Sequence, residues 1–428
     1  MNVAITPIRN SPAAAIRGDR SIGPDVIRAF AAVMVVYLHA CVPYLTHSMP
    51  GLVWPVVDEA SGICDAMFWA IEIVVMPLFL VISGFYAYKS LAGTDWQSFL
   101  QSRTRRLIRP LLFGMIVILP IDLYIWMAGL IAEGHMPLAK LRSLKVPSPY
   151  GDNLWGLSHL WFLMYAFLYG VVMVAAAHQM RHGIPMRLRP TVRRLSIISI
   201  LSIGALTLIA SPEVVFGFQH SFIPVLSKWL YSGTFFAGGI AIAVFDPSFR
   251  MIDRLAMRHL SVGAMATIAA VMLGRWTLRT DFTRFEASHW LVSISLAMTT
   301  VGAAWCVTLG AMGMANRSST RLLKYPLASR MIRYVAGASF WIYLVHHPIV
   351  GLVHIDLKWL APGLWPVAKS LLTLGIAVGW GLISYEVVIR RTRFGQFIGL
   401  TSLQSRKPSA DQTEDSVTPK RAVIRRSA

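Results

Sequence analysis

The 428-residue sequence is poor in charged residues and poorer still in acidic ones. Only 14% of its residues are charged and 55% are hydrophobic, and 20 acidic residues stand against 40 lysines and arginines. So few charged side chains cannot cover the surface of a soluble protein of this length, and the composition is typical of a chain with many membrane spans. We therefore predict an all-α fold, a polytopic membrane helix bundle.

Cysteine is also scarce, and no cleavable leader is expected. The three cysteines, Cys41, Cys64 and Cys306, lie in or near apolar runs, where we expect them to act as small buried hydrophobic residues. Cys41 and Cys64 are both expected near the outer surface, where a disulfide is compatible with the sequence. No Cys/His spacing typical of a metal site is present, so we predict no bound metal. The first 23 residues contain arginines but no apolar core, so we expect no cleavable signal peptide.

Ten apolar stretches are each long enough to cross a bilayer. They cover residues 24–46, 63–88, 108–131, 157–179, 195–211, 229–245, 259–277, 289–313, 333–355 and 366–389. The sequence therefore predicts about ten transmembrane helices. Within the sixth stretch, the small residues of FFAGGIAIA indicate close helix packing rather than a phosphate-binding loop.

Basic residues are unevenly distributed between the predicted loops. Thirty of the 40 lysines and arginines lie in the N-terminal segment, the even-numbered loops and the C-terminal tail. Because cytoplasmic loops are enriched in these residues, we predict that both termini are cytoplasmic. This topology explains the net charge of +20, so we predict no nucleic-acid binding. Membrane lipid is the partner that the basic residues are expected to contact. The predicted domains are a cytoplasmic segment (1–23), a transmembrane domain (24–395) and a disordered basic cytoplasmic tail (396–428).

Ionisable residues interrupt the first predicted span. Arg28 and His39 are eleven residues apart, which at about 100° per residue returns them to the same helix face, about 16 Å apart along the axis. Such side chains are costly inside a membrane and usually serve a function or pair with each other. Asp25 precedes Arg28 by three residues and is placed to pair with it. The stripe thus has a cation near the cytoplasmic face and an imidazole in the outer half.

Two further polar groups follow from the predicted orientation. Arg103 and Arg106 lie in the second, cytoplasmic loop, and their separation of three residues lets them share a helix face. Pro110 follows them and suits the start or break of a helix. Histidines of the fourth and ninth spans are expected in the outer half, near the His39 imidazole. They are His159, His346 and His347.

Short motifs in this order resemble those of a known enzyme family. Asp25-x-x-Arg28 followed by His39, the segment FLVISGF, and Arg103-Thr-Arg-Arg106 resemble the motifs of the acyltransferase-3 superfamily of integral-membrane O-acyltransferases. SHLWFL, ASFWIYLVHHPIV and SYEVVIR resemble the branch of that superfamily that succinylates osmoregulated periplasmic glucans. The resemblance covers about residues 20–395. The fourth span lacks the carboxylate found in many surface-polysaccharide O-acetyltransferases of the superfamily, which fits the glucan branch.

The resemblance implies acyl transfer across the bacterial inner membrane, from cytoplasmic acyl-CoA to a saccharide hydroxyl outside. Succinyl-CoA or acetyl-CoA is the expected co-substrate, and no permanently bound cofactor is expected. Arginine forks suit the phosphates of CoA, so Arg28, Arg103 and Arg106 are candidate donor-binding residues. His39 is the candidate general base, and Arg28 and Asp25 complete the predicted catalytic set.

On the acceptor side, four residues are predicted to line the saccharide site or to hold His39 in place. They are His159, His347, His346 and Glu72. Of the adjacent pair, His346 is expected to be the packing member, since neighbouring helical residues point about 100° apart. Simpler interpretations are that the imidazoles bond neighbouring helices and that the arginines follow from topology alone.

Other functions remain open from the sequence. One is an O-acetyltransferase of a different surface polysaccharide or small glycoside. A second is a component of a polysaccharide or solute transporter, which would also carry intramembrane His and Glu but would show repeats and broken helices in matching halves. A third is a membrane subunit without catalysis, whose basic tail recruits a partner. For the glucan branch, proteins of glucan synthesis or export are candidate partners.

Overall fold

A computed structural model describes the chain over residues 22–144, 146–148, 150–151, 154–179, 188–219, 221–279 and 287–400, without the side chains of 177–179 and 287–288. Most of the predicted N-terminal segment (1–23) and of the predicted tail (396–428) lies outside the described residues. The described chain remains packed close to its end, where Ile398 is buried.

Ten helices in the described residues are long and apolar enough to cross a membrane, which confirms the predicted all-α bundle. They are α1 (Gly23–Ala40), α2 (Gly62–Ala92), α3 (Trp96–Ala132), α4 (Trp161–Gln179), α5 (Arg189–Ala210), α6 (Leu226–Phe245), α7 (Arg250–Arg279), α8 (Ala287–Leu322), α9 (Pro326–Leu360) and α10 (Pro366–Ser384). A short helix, α11 (Arg393–Phe397), follows. An even number of crossings places the two ends of the bundle on one side; the assignment of that side to the cytoplasm stays a prediction from the basic residues.

Several helices differ in length from the apolar stretches that predicted them. Helix α3 begins at Trp96 rather than at 108, and α7 begins at Arg250 rather than at 259. Charged residues end a hydropathy window, but they do not end a helix that continues past the apolar layer. Helix α1 is shorter than predicted and ends at Ala40. Pro43 follows in a single 3₁₀ turn, because proline has no N–H to continue the helical hydrogen bonds.

The basic segment at the start of α3 does not break at its proline. Thr104–Ile108 forms a π-helical turn, and the Arg109 N–H closes it by donating to the Thr104 carbonyl. Pro110 lies in the first turn of the α-helical segment Arg109–Phe113 that follows, as expected for a proline at a helix start, although α3 as a whole continues through it. The wider turn before the proline lets the helix continue past it, since it shifts the hydrogen-bond pattern by one residue.

Glycines bring α2 and α6 into close contact. A methyl group on Gly84 of α2 would lie 2.0 Å from the carbonyl oxygen of Phe236, and one on Gly239 of α6 would lie 2.1 Å from that of Val81. Small residues are common where membrane helices approach this closely. The packing interpretation of FFAGGIAIA is therefore confirmed.

The inner and outer surfaces of the bundle differ as a lipid environment requires. Helix α9 is the most deeply buried of the ten, and α1 packs against it. The outward faces of α5 and α7 carry large exposed apolar side chains, which lipid rather than water would cover. They include Leu195, Ile198, Met265, Ile268 and Met272.

The three cysteines are free thiols in this structure. Cys41 and Cys64 are both buried, as expected for small apolar residues. The Cys64 thiol donates to the Ser370 hydroxyl over 3.8 Å, which joins α2 to α10. Cys41 and Cys64 therefore contribute to packing rather than to a disulfide here.

Candidate active site

Four predicted site residues come together as a cluster of imidazole rings, called the histidine cluster below. His39 comes from α1, His159 from the short helix before α4, and His346 and His347 from α9. The ring centroid of His39 lies 5.0 Å from that of His346 and 5.1 Å from that of His347. The His159 ring stacks on the His347 ring with a centroid distance of 4.6 Å. The fold thus joins three separate spans at the point where the sequence predicts imidazoles at a common depth.

The hydrogen bonds of His39 define which ring nitrogen is left to accept a proton. Its Nδ1 atom lies 2.8 Å from the Val35 carbonyl oxygen and 3.2 Å from His346 Nε2. A carbonyl oxygen can only accept, so we assign the ring hydrogen to Nδ1, which shares it between the two acceptors. The Nε2 atom is then the unprotonated nitrogen, which is the atom a general base uses.

His346 supports His39 from within the protein. It is fully buried, and its Nδ1 lies 2.8 Å from the Tyr343 carbonyl oxygen, to which it donates. Its Nε2 is therefore an acceptor for the Nδ1–H of His39. Tyr343 in turn donates its hydroxyl to the backbone carbonyl of His159, which ties α9 to the start of α4.

His347 has a carboxylate partner that the sequence analysis missed. Its Nδ1 lies 3.0 Å from Oδ2 of Asp122 in α3, and both side chains are buried. The Trp126 ring stacks on His347 at 4.7 Å with an interplanar angle of 10°. An acid within a predicted apolar span is the signal that would have drawn attention to Asp122. Trp126 has no comparable signal, because tryptophan is common in membrane helices.

Asp122, His159 and His347 are close enough to be examined as metal ligands. One ligand atom from each lies within 4.8 Å of the others. The two imidazoles, however, stack with an interplanar angle of 19°. A metal lies in the plane of each imidazole that binds it, and two stacked rings do not share a plane. The geometry suits hydrogen bonding to Asp122, and the predicted absence of a bound metal stays a prediction.

A cavity beside the histidine cluster contains further polar groups. His39, His347 and the acceptor-side candidate Glu72 line it, together with Lys228 and Tyr231 at the start of α6. Its wall includes residues of α2 from Phe68 to Leu80, and residues from Val35 to Val42 of α1 and the 3₁₀ turn that follows it. Lys228 and Tyr231 were not singled out from sequence because they fall at the edge of an apolar stretch. We call this space the polar cavity.

A second cavity lies on the other side of His347. It is lined by three tryptophans and by the carboxylate that holds His347, namely Trp54, Trp126, Trp155 and Asp122. Trp54 belongs to the loop between α1 and α2 and donates its indole N–H to His354 Nδ1 over 3.0 Å. His347 therefore lies in the wall between two cavities, with Asp122 behind it.

The predicted donor-binding arginines lie away from the histidine cluster. Arg28 and Asp25 form the expected pair three residues apart, with a nitrogen–oxygen distance of 4.0 Å and partly exposed side chains. Arg103 donates to the Ser83 carbonyl of α2 over 3.4 Å. Tyr86, three residues further along α2, is within electrostatic range of Arg28. Arg28 and Arg103 thus lie beside the same end of α2.

The arginines and the polar cavity are not continuous in this structure. On α1, the residues lining the cavity begin at Val35, which is seven residues, or about 10 Å, from Arg28 along the helix axis. Arg106 is exposed and interacts electrostatically with Arg103. The fold therefore brings the imidazoles together and the arginines together, as two groups at different depths.

Comparisons with known proteins assign the chain to a family. A family model for the acyltransferase domain of the acyltransferase-3 type matches residues 21–385. The chain therefore belongs to the acyltransferase-3 family, and it is a multi-pass membrane protein.

Among curated proteins, the chain is similar to glucans biosynthesis protein C of Escherichia coli. The protein of strain K12 is 24% identical over 385 residues, which cover 86% of this chain and 91% of that protein. The proteins of E. coli strain SMS-3-5 and of E. coli O9:H4 strain HS are 23% identical over the same length. No solved structure matches the chain. The family is thus supported along nearly the whole described bundle.

Proposed function

We propose that this chain is an O-acyltransferase of the bacterial inner membrane. It moves a succinyl group from cytoplasmic succinyl-CoA to a hydroxyl of a periplasmic glucan or of another extracytoplasmic saccharide. The observation that carries the proposal is the geometry of His39, whose Nδ1–H is held by a carbonyl oxygen while the ring lines the polar cavity. The name of the similar E. coli proteins supports a glucan as the acceptor class.

The reaction needs one base and one displaced sulfur. His39 Nε2 removes the proton from the acceptor hydroxyl while that oxygen attacks the thioester carbonyl carbon. The new ester C–O bond forms, the C–S bond breaks, and the CoA sulfur takes the proton from the His39 imidazolium. His346 Nε2, which accepts from Nδ1–H, keeps the ring oriented and stabilises its charged form.

The donor enters from the opposite end of the bundle. Arg28, Arg103 and Arg106 provide permanent positive charge and multiple N–H donors for the phosphates of CoA. The long, thin pantetheine arm can then extend along α1 toward His39. Because the polar cavity begins at Val35, the interval between Arg28 and Val35 must widen when acyl-CoA is bound. The carbonyl of the thioester then reaches the polar cavity.

The test is acyl transfer by the purified protein in detergent. Radiolabelled succinyl-CoA and periplasmic glucan are incubated with the wild type or with His39→Ala, and label in the glucan is counted. We expect His39→Ala to lower kcat by about 10²–10⁴-fold, the usual contribution of a general base. His135→Ala, at an exposed loop histidine, is the matched control and should keep wild-type turnover.

Two results would contradict the proposal. Wild-type turnover by a folded His39→Ala protein would remove the assigned base. Saccharide uptake into sealed vesicles by the wild type, without any acylation when acyl-CoA is present, would instead make the chain a transporter.

A further inference from the structure

Three polar side chains that line the polar cavity lack a hydrogen-bond partner among the described residues. Tyr231 is only 5% exposed, and its hydroxyl has no hydrogen-bond partner. Within the described part of the chain, the side chains of Glu72 and Lys228 form no hydrogen bond and no ion pair within 4.0 Å. Buried polar groups in proteins are nearly always hydrogen-bonded, so three unpaired groups around one cavity point to a ligand that completes them.

Glu72 and Lys228 act on each other across this cavity without touching. Each of the two side chains is the charged group that acts electrostatically on the other. The Lys228 ammonium lies 4.1 Å from the centroid of the Trp161 ring, which holds it by a cation–π contact. Glu72 also acts electrostatically on Tyr231, so the three groups are near neighbours in the polar cavity.

A purely structural ion pair would be expected to close this gap. Removing two charges from water is costly, and direct contact with further hydrogen bonds is what offsets the cost. Glu72 and Lys228 both line the polar cavity, yet no nitrogen–oxygen distance between them is 4.0 Å or less. The polar cavity therefore offers space for a polar molecule that contacts both side chains.

The combination of these groups selects the chemistry of that molecule. The carboxylate accepts hydrogen bonds, the ammonium donates them, and the phenol does both. The pair is neutral overall, so a neutral ligand leaves no uncompensated charge in the cavity. Neighbouring hydroxyls of a saccharide both donate and accept, and they satisfy all three groups.

We propose that Glu72, Lys228 and Tyr231 bind two neighbouring hydroxyls of the acceptor saccharide and so present a third hydroxyl to His39. The inference rests on the proposed function for the identity of the acceptor. It adds Lys228 and Tyr231 to the acceptor side and makes the polar cavity, rather than the tryptophan-lined cavity, the saccharide-binding space.

The experiment measures initial rates with glucan varied at saturating succinyl-CoA, and then with succinyl-CoA varied at saturating glucan. The variants are Glu72→Gln, Lys228→Met and Tyr231→Phe. We expect the KM for glucan to rise about tenfold in the first two and about threefold in the third, since hydrogen bonds to charged groups contribute more than neutral ones. The KM for succinyl-CoA should stay at its wild-type value. Glu59→Gln and Lys324→Met, at exposed positions, are the matched controls and should change neither constant.

Three results would overturn the inference. One is an unchanged KM for glucan in folded Tyr231→Phe, a variant that removes a hydroxyl without a protein partner and so leaves the packing intact. The second is a lost preference for succinyl-CoA over acetyl-CoA with an unchanged KM for glucan, which would make Lys228 a reader of the acyl carboxylate. The third is equal binding of glucan to the wild type and to folded Lys228→Met.

Calorimetric titration of glucan into the protein without acyl-CoA separates this inference from the proposed function. Binding by the wild type and weaker binding by Lys228→Met, with no turnover under any condition, would support the saccharide site and contradict the acyl transfer. No glucan binding together with acyl transfer to another acceptor would contradict the saccharide site alone.

Discussion

His39 and His347 are held by different kinds of acceptor, although both line the polar cavity. The Nδ1 of His39 faces a neutral backbone carbonyl, whereas that of His347 faces the Asp122 carboxylate. A carbonyl orients an imidazole, and a carboxylate also adds negative charge next to it. His347 is therefore placed to keep its Nε2 as an acceptor at the junction of the two cavities, where it can orient the acceptor hydroxyl toward His39.

Asp122 is accordingly predicted to be a positioning residue for this site. In Asp122→Asn the side-chain amide can donate to His347, which favours the other tautomer and turns the acceptor nitrogen away from the cavity. We expect kcat to fall about 10–100-fold, with the KM for succinyl-CoA unchanged. The measurement is steady-state kinetics on the purified variant, beside Asp356→Asn at an exposed position as the control. A wild-type kcat for Asp122→Asn would show that His347 needs no carboxylate.

For individual residues, the sequence predicts which side chains lie close together, but it does not predict their hydrogen-bond partners. The common depth of His39, His159 and the His346–His347 pair follows from span order and orientation, and their rings are indeed together. The bond from Asp122 to His347 joins residues 225 positions apart, and no pattern along the chain specifies it. The partners of a buried side chain depend on helix rotation and crossing, which hydropathy does not determine.

Two features of the fold position the site: a close crossing of two helices, and a loop that folds back over the histidine cluster. Helices α2 and α6, which carry the groups of the polar cavity, cross where Gly84 faces Phe236 and Gly239 faces Val81. The loop between α1 and α2 folds back over the histidine cluster, and Trp54 stacks on His39 with ring centroids 6.0 Å apart. The glycines were interpretable from sequence, since small residues favour close packing. The return of the loop was not, because it depends on contacts with α9.

The crossing gives a prediction about stability. Gly84→Ala adds a methyl group 2.0 Å from the Phe236 carbonyl oxygen, so α2 and α6 must separate. We expect the free energy of unfolding to fall by about 1–3 kcal/mol, which is typical of overpacking. Thermal unfolding in detergent, followed by tryptophan fluorescence, measures it as a lower Tm. Gly375→Ala is the control, because a methyl group there meets no atom within 4 Å. Equal Tm values for the two variants would contradict the close crossing.

In the whole molecule, the candidate donor-binding arginines and the histidine cluster lie at different depths of the helix bundle. Arg28 and Arg103 lie beside one end of α2, and the polar cavity next to the histidine cluster lies along the other half of that helix. Apolar surface surrounds the bundle. The number of spans, the all-α fold and the two groups of polar residues, imidazoles and arginines, were predictable from the sequence. Each of these features depends on hydropathy and on the order of residues along the chain. The interruption between Arg28 and the polar cavity was not, since cavity continuity depends on side-chain packing in the folded protein. The central claim is that one chain passes an acyl group from a carrier on one side of the membrane to a saccharide on the other.

Transfer between separated compartments tests that claim most directly. Radiolabelled succinyl-CoA is sealed inside proteoliposomes, and glucan is added outside, so that neither substrate can cross the lipid unaided. We predict labelled glucan outside the vesicles from the molecules whose arginine end faces the lumen, and no label with His39→Ala. Labelled glucan that forms only when succinyl-CoA and glucan are supplied on the same side of the membrane would contradict the account.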